Sequence, residues 1–416
     1  MRGEAAKHWL AIVSTALFPL QWLVIHFSGI PLEPHWQALS SGLSIFGAAF
    51  LLSWAAELAQ LDIPQALALA FLALIAVLPE YAVDVYFAWQ AGKNPAYTAY
   101  ATANMTGANR LLIGVGWATV IVAFWVKTGI REMSLGRDRR LEVLSLVAAT
   151  LYSFVLPFKK TLSVVDAGVL VALFVVYMFA ASRAHLVEPE LEGPPETIAR
   201  YRTGIRRVIT LLFFAYAGLT IVTAAEPFAE GLLASGHTLG IEEFILVQWL
   251  APLASESPEF IVATLFALRG NPQAGVGTLI SSTVNQWTLL VGMLPIAYAL
   301  SGGHWGPMHL DPRQQTEIFL TSAQSIFALV VIANFSFSLF EALMLLGLFL
   351  VQLFFSSPEV RYAYSFVYLV LAIGLVFRTR QNRLSLWTVM PRRVRRSIRP
   401  HLVRFQRREP RRRVAG

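Results

Sequence analysis

Apolar residues run through this chain in long blocks, separated by short polar intervals. Twelve blocks are long enough to cross about 30 Å of hydrocarbon as helices: roughly 9–27, 37–60, 64–91, 97–126, 141–157, 164–184, 205–226, 241–268, 274–300, 315–334, 338–355 and 360–377. The predicted fold is an all-α polytopic membrane protein with about twelve transmembrane helices. The Pro- and acid-rich stretch around 188–197 cannot continue a helix and separates two six-span halves. These are a first membrane half, 1–184, a cytoplasmic linker, 185–204, a second half, 205–377, and a tail, 378–416.

Within the blocks, one passage occurs twice. Residues 76–116 and 255–292 each carry a Pro-Glu inside an apolar helix, an Asn-Pro turn, and an Asn in a second apolar helix. Pro79-Glu80 aligns with Pro258-Glu259, Asn94-Pro95 with Asn271-Pro272, and Asn109 with Asn285. The copies lie on spans three and four (about 64–126) and eight and nine (about 241–300), so the two Pro-Glu helices run in opposite directions and the repeats are inverted. Glu80 is 11 residues from the end of its span and Glu259 is 9 from the end of its own. At about 1.5 Å per residue both lie ~14–17 Å deep, near the bilayer midplane.

A carboxylate at that depth costs too much to be decorative, and paired carboxylates at a repeat interface mark a substrate site. Pro79 and Pro258 are predicted to break their helices, freeing the carbonyls of Ile75 and Ala254. Asp84 shares a face with Glu80, and Ser255 and Glu256 share one with Glu259. Thr106, Asn109, Ser281, Ser282, Thr283 and Asn285 add neutral oxygens from the facing helices. An oxygen-only set suits Ca²⁺, Na⁺ or H⁺ and argues against zinc or copper. Four neighbouring carboxylates cannot all stay ionised without cations, so some must hold protons when the site is empty. Glu80 and Glu259 are the primary metal-ligand candidates; Asp166 and Glu317, unrepeated and near span ends, read as interfacial.

Composition agrees: 56% of residues are hydrophobic, 14% are charged, and the mean hydropathy is +0.58. The absence of cysteine excludes thiolate sites and disulfides. The formal charge of +8 is concentrated in the tail, where fourteen Arg face one acid, Glu409. Such a tail stays on the cytoplasmic side, so both termini are expected inside, in the plasma (inner) membrane, with the tail near anionic lipid headgroups. No hydrolase or protease motif is present, so no enzyme is expected, nor any cofactor or nucleic-acid partner.

The repeats resemble those of the cation/Ca²⁺ antiporter superfamily, the sodium/calcium exchangers and their calcium/proton relatives. The matching residues are Pro79-Glu80 with Gly107-Ala108-Asn109, and Ser255-Glu256-Ser257-Pro258-Glu259 with Thr283-Val284-Asn285. The resemblance implies a ten-helix exchanger core with one extra helix at each end. It also implies central cation ligands at Glu80 and Glu259, flanked by Asn109 and Asn285, and alternating access with two outer helices sliding against the core. The implied activity is secondary antiport of a small cation, Ca²⁺ favoured, against H⁺ or Na⁺. Three positions depart from the family pattern. Ala76 and Val77 replace hydroxyls used for Na⁺, Glu256 adds a carboxylate, and Arg110 follows Asn109. Arg110 is expected to act as an internal counter-charge for Asp84 or Glu256. The alternative is a non-transporting or regulatory membrane protein of the same fold whose site Arg110 occupies.

Overall fold

The computed structural model describes residues 2–62, 78–136, 139–183, 191, 193–302, 304–355 and 357–378. Ile75, Ala76, Val77, most of the linker and the tail beyond Arg378 lie outside the described residues. The chain is almost wholly helical: α1 (Arg2–Ser28), α2 (Pro34–Ala59), α3 (Leu78–Ala91), α4 (Tyr97–Leu111), α5 (Trp117–Thr128), α6 (Arg140–Ser153), α7 (Val155–Lys159) and α8 (Val164–Ala181) form the first half. The second comprises α9 (Pro194–Ala199), α10 (Thr203–Leu239), α11 (Glu243–Leu268), α12 (Pro272–Asn285), α13 (Val291–Gly302), α14 (Pro312–Val331), α15 (Leu339–Gln352) and α16 (Pro358–Arg378). Among the described residues, nine helical stretches are long and apolar enough to span a bilayer. The other three expected spans correspond to α3, α11 and α15: the start of the first lies outside the described residues, Glu256 and Glu259 interrupt the second, and the third is 14 residues long.

Two small sheets tie the halves together. β1 (Glu132–Ser134) pairs antiparallel with β4 (Ser336–Ser338), Met133 opposite Phe337, and β2 (Thr161–Leu162) pairs with β3 (Met308–His309). Strands can pair across a membrane protein only if both loops emerge on one face. Each pair therefore requires an even number of crossings between its strands, as the expected topology has. The repeats correspond in detail as well. A π-turn follows the Asn of each copy, at Leu112–Gly116 after α4 and at Gln286–Leu290 after α12.

Close backbone approach sets the packing around the repeats. Pro252 leaves the Gln248 carbonyl without its helical donor, and α4 presses on that carbonyl: a Cβ on Gly107 would lie 1.8 Å from it. The second Pro-Glu helix is not broken as expected. α11 runs unbroken through both Pro252 and Pro258, because a proline removes one hydrogen bond while its fixed φ still fits a helix, and neighbouring helices support the turn. α14 is the central helix, 94% of its apolar window being buried. α2 packs along α10, with Gly42 beneath Phe228 and Gly231 against the Ala38 backbone.

Where α2 ends, Asp62 accepts from Arg206 Nη2 (2.8 Å) and Nε (3.1 Å) and from Arg207 Nε (3.1 Å). The Arg206 hydrogen bonds hold its carboxyl below the ordinary carboxylate range. The resulting stabilisation is fully present above the unfolded-state pKa of about 3.9 and is lost as pH falls through the folded value. Asp62→Asn is therefore expected to lower the unfolding temperature of solubilised protein by roughly 1–3 °C at pH 7. The difference from the parent should shrink as pH falls through the folded value and vanish once the carboxyl is protonated in both states; a difference that persists there assigns the loss to packing instead.

Candidate cation site

Two helices, one from each repeat, carry the acids. Glu80 and Asp84 stand one turn apart on α3, and Glu256 and Glu259 one turn apart on α11. Glu80, Asp84 and Glu256 are buried. The Glu80 and Glu256 carboxyl groups stand beside each other, with Asp84 and Glu259 close enough to act on Glu80 through their charge. Gln286 Nε2 donates to Glu256 Oε1. The Asn104 amide of α4 faces Asp84, and Tyr81 donates from its hydroxyl to Asn285 Oδ1 at 3.0 Å.

What the protein leaves unsatisfied defines the site. Among the described residues, both Asp84 oxygens and one oxygen each of Glu80, Glu256 and Glu259 are buried without a hydrogen-bond partner, as are Asn109 Oδ1, Ser282 Oγ and Gln286 Oε1. Native interiors rarely leave such atoms bare, so this oxygen set needs a cation, a proton or water. Among the described residues, no three His, Asp or Glu side chains close around one point as a resident metal centre does. The acids are strung along two helices instead.

The other predicted oxygens divide. Thr106 Oγ1 donates to Thr102 O (2.8 Å), Ser255 Oγ to Ala251 O (3.2 Å) and Thr283 Oγ1 to Leu279 O (2.8 Å), so these hydroxyls are turned onto their own helices. Asn109 likewise uses its Nδ2 on Met105 O, 3.0 Å away, leaving its oxygen available. Ser281 accepts from Tyr177 of α8 at 3.3 Å. Pro79 lies at the start of the described part of α3, and the carbonyl it is expected to free, that of Ile75, lies outside the described residues.

Two expectations about charge are corrected. Arg110 does not pair with Asp84 or Glu256; its Nη2 donates to Glu317 Oε2 at 2.6 Å and its Nε to Thr106 O at 3.3 Å. Nor is Glu317 interfacial: it is fully buried on α14 between Arg110 and Arg361, with Gln248 Nε2 also donating to it at 3.0 Å. Arg110 leaves α4 towards α14 instead, stacked over the Trp249 ring at 5.0 Å. Sequence reasoning also missed Tyr81, Asn104, Gln248 and Gln286. For Gln286 a signal existed, since it follows Asn285 as Arg110 follows Asn109. For Gln248, two turns from Glu256, none did.

Comparison with known proteins gives a consistent picture. The family model described as sodium/calcium exchanger protein matches residues 34–183 and 209–357. The crystal structure of the H⁺/Ca²⁺ exchanger CAX superposes with a TM-score of 0.88 and 43% identity, covering 93% of this chain and 97% of that one. The Ca²⁺/H⁺ antiporter protein YfkE shares the fold with a TM-score of 0.59 at 13% identity, over 89% of this chain and 99% of that one. A sodium-calcium exchanger, NCX_Mj, does so at 0.51 and 15%, over 80% and 99%. No curated protein sequence matches significantly.

Tyr81→Phe removes the hydroxyl that donates to Asn285 Oδ1, at a cost of about 0.5–1.5 kcal/mol. Its unfolding midpoint should fall, and Asn285→Ala in the Tyr81→Phe background should cost clearly less than in the parent, because the two groups form one unit. Additive losses in this double-mutant cycle contradict the pairing.

Proposed function

Because the chain belongs to the sodium/calcium exchanger protein family, we propose that it is a secondary active antiporter exchanging Ca²⁺ for H⁺ at Glu80, Asp84, Glu256 and Glu259. The observation that carries this reading is the set of acid oxygens buried without a hydrogen-bond partner among the described residues, both of Asp84 and one each of Glu80, Glu256 and Glu259. A buried, unpaired carboxyl group needs a proton or a cation. Ca²⁺ entering there takes the place of protons, so the same oxygens serve either ion. Oxygens with no other buried partner, from Asp84, Glu259, Asn109 and Ser282, complete a hard-cation set.

Proton coupling is favoured over sodium by what is missing. Ala76 and Val77 bring no hydroxyl, and those of Ser255 and Thr106 are turned onto their own helices. The similarity to an H⁺/Ca²⁺ exchanger at 43% identity supports the same choice. Arg110, bonded to Glu317, leaves the four acids without a built-in cation, which favours transport over a locked, regulatory protein. Exchange follows if the helices rearrange only when the site's charge is neutralised, by Ca²⁺ or by protons, because moving bare carboxylates through hydrocarbon is prohibitive. The termini are assigned to the cytoplasm, with the Arg-rich tail against anionic headgroups.

In proteoliposomes, an outward or inward pH gradient should drive Ca²⁺ flux and a Ca²⁺ gradient should drive proton counterflow, while Na⁺ and K⁺ gradients should not. Lowering pH on the Ca²⁺ side should raise the KM for Ca²⁺. Glu80→Gln and Glu259→Gln should each cut exchange by about 100-fold or more. Variants that exchange as fast as the parent, or Ca²⁺ flux driven equally by Na⁺, overturn the proposal.

A further inference from the structure

Resting on that reading, we infer that Arg110, Glu317 and Arg361 form a fixed buried charge cluster that sets the affinity of the carboxylate site for its divalent cation, with Arg110 the specificity-determining residue. All three side chains are buried, on α4, α14 and α16. One carboxylate is shared by two guanidiniums: Arg110 Nη2 lies 2.6 Å from Glu317 Oε2, and Arg361 Nη1 is paired with Oε1. The cluster therefore carries a net charge of +1. Its charged neighbours do not cancel that excess, since Arg313, which acts on Arg361, is itself paired with Glu242. The Tyr368 hydroxyl, the remaining titratable group beside Arg110, is neutral and has no hydrogen-bond partner among the described residues.

Stability does not explain such a cluster. Replacing a buried ion pair or triad with well-packed apolar side chains is often neutral or stabilising. Its connections lead to the cation site. Gln248 bridges Glu317 and, at 3.4 Å, Thr106 Oγ1, and it stands two turns, about 12 Å, from Glu256 along α11. Arg110 itself bonds the carbonyl of Thr106 and adjoins Asn109.

The inverted repeat supplies the second observation. Arg110 occupies, in the first copy, the place that Gln286 holds in the second. Gln286 reaches Glu256, three residues before Glu259; three residues before Glu80 stands Val77, which offers no acceptor. The position thus has a neutral form facing Glu256 in the second repeat and a cationic form turned to Glu317 in the first. The protein consequently combines four acids with one uncompensated positive charge on α4, next to Asn109. A divalent ion feels that charge twice as strongly as a proton does. The cluster weakens Ca²⁺ binding enough for release, a requirement on any site through which an ion must pass.

The test measures KM and kcat for Ca²⁺ exchange in proteoliposomes. Arg110→Gln, the residue of the other repeat, removes the excess charge and should lower KM. Glu317→Gln unmasks a second guanidinium and should raise it. Each shift should be about tenfold, the order for one charge acting on a divalent ion over roughly 10–15 Å at an effective dielectric of about 40. Arg110→Lys should restore the parent KM. Shifts of the same sign in Arg110→Gln and Glu317→Gln, or losses confined to kcat, mean a scaffold and overturn the inference. If Glu317→Gln does not fold, Arg110→Gln against Arg110→Lys still decides by KM. A parent that exchanges no Ca²⁺ removes the antiport reading and this inference together, whereas a working parent with scaffold-like variants removes the inference alone.

Discussion

The cost of ionised carboxylates in a low-dielectric interior governs this molecule. Glu80, Asp84 and Glu256 are buried where water cannot solvate them, and Glu259 stands beside them. Such groups persist only when protons, cations or donors neutralise them. The surrounding structure follows from that demand. Amides from Gln286 and Asn104 approach the acids, Tyr81 holds Asn285, and Gly107 lets α4 touch α11 backbone to backbone. The inversion of the two halves brings acids from two distant segments to one depth.

The two repeats are alike in backbone and unlike in charge. Both have an apolar helix with Pro-Glu, an Asn-bearing partner helix and a π-turn after it. Yet the second copy places Glu256 opposite a neutral Gln286, while the first places Val77 and Arg110 at the same points. Symmetry supplies the frame, and its violations distribute the charge. The central helix α14 shows the consequence: it buries Glu317 and Gln324, and Gln324 donates to the Arg110 carbonyl at 3.2 Å.

Much of this was legible in the sequence, for identifiable reasons. Apolar blocks of about twenty residues report membrane helices because the bilayer tolerates no unsatisfied backbone. The doubled Pro-Glu and Asn-Pro anchors revealed the inverted repeats. What could not be read was direction at the side-chain level. An Arg extends far enough to choose among several acids, and Arg110 chose Glu317, whose distance in sequence concealed it. Pro258 was read as a break because proline removes a hydrogen bond, but whether a helix bends or continues depends on its neighbours. The hydroxyls of Thr106 and Ser255 were counted as site oxygens, although carbonyls of their own helices compete for them.

The central claim is that protons and a divalent cation compete for one set of buried carboxylates. Calorimetric titration of the purified protein with Ca²⁺ near neutral pH, repeated in buffers of different ionisation enthalpy, tests it directly. The account predicts that the observed heat depends on the buffer, with at least one proton released for each Ca²⁺ bound. Binding with no buffer dependence would mean that the acids were already bare, and would contradict it.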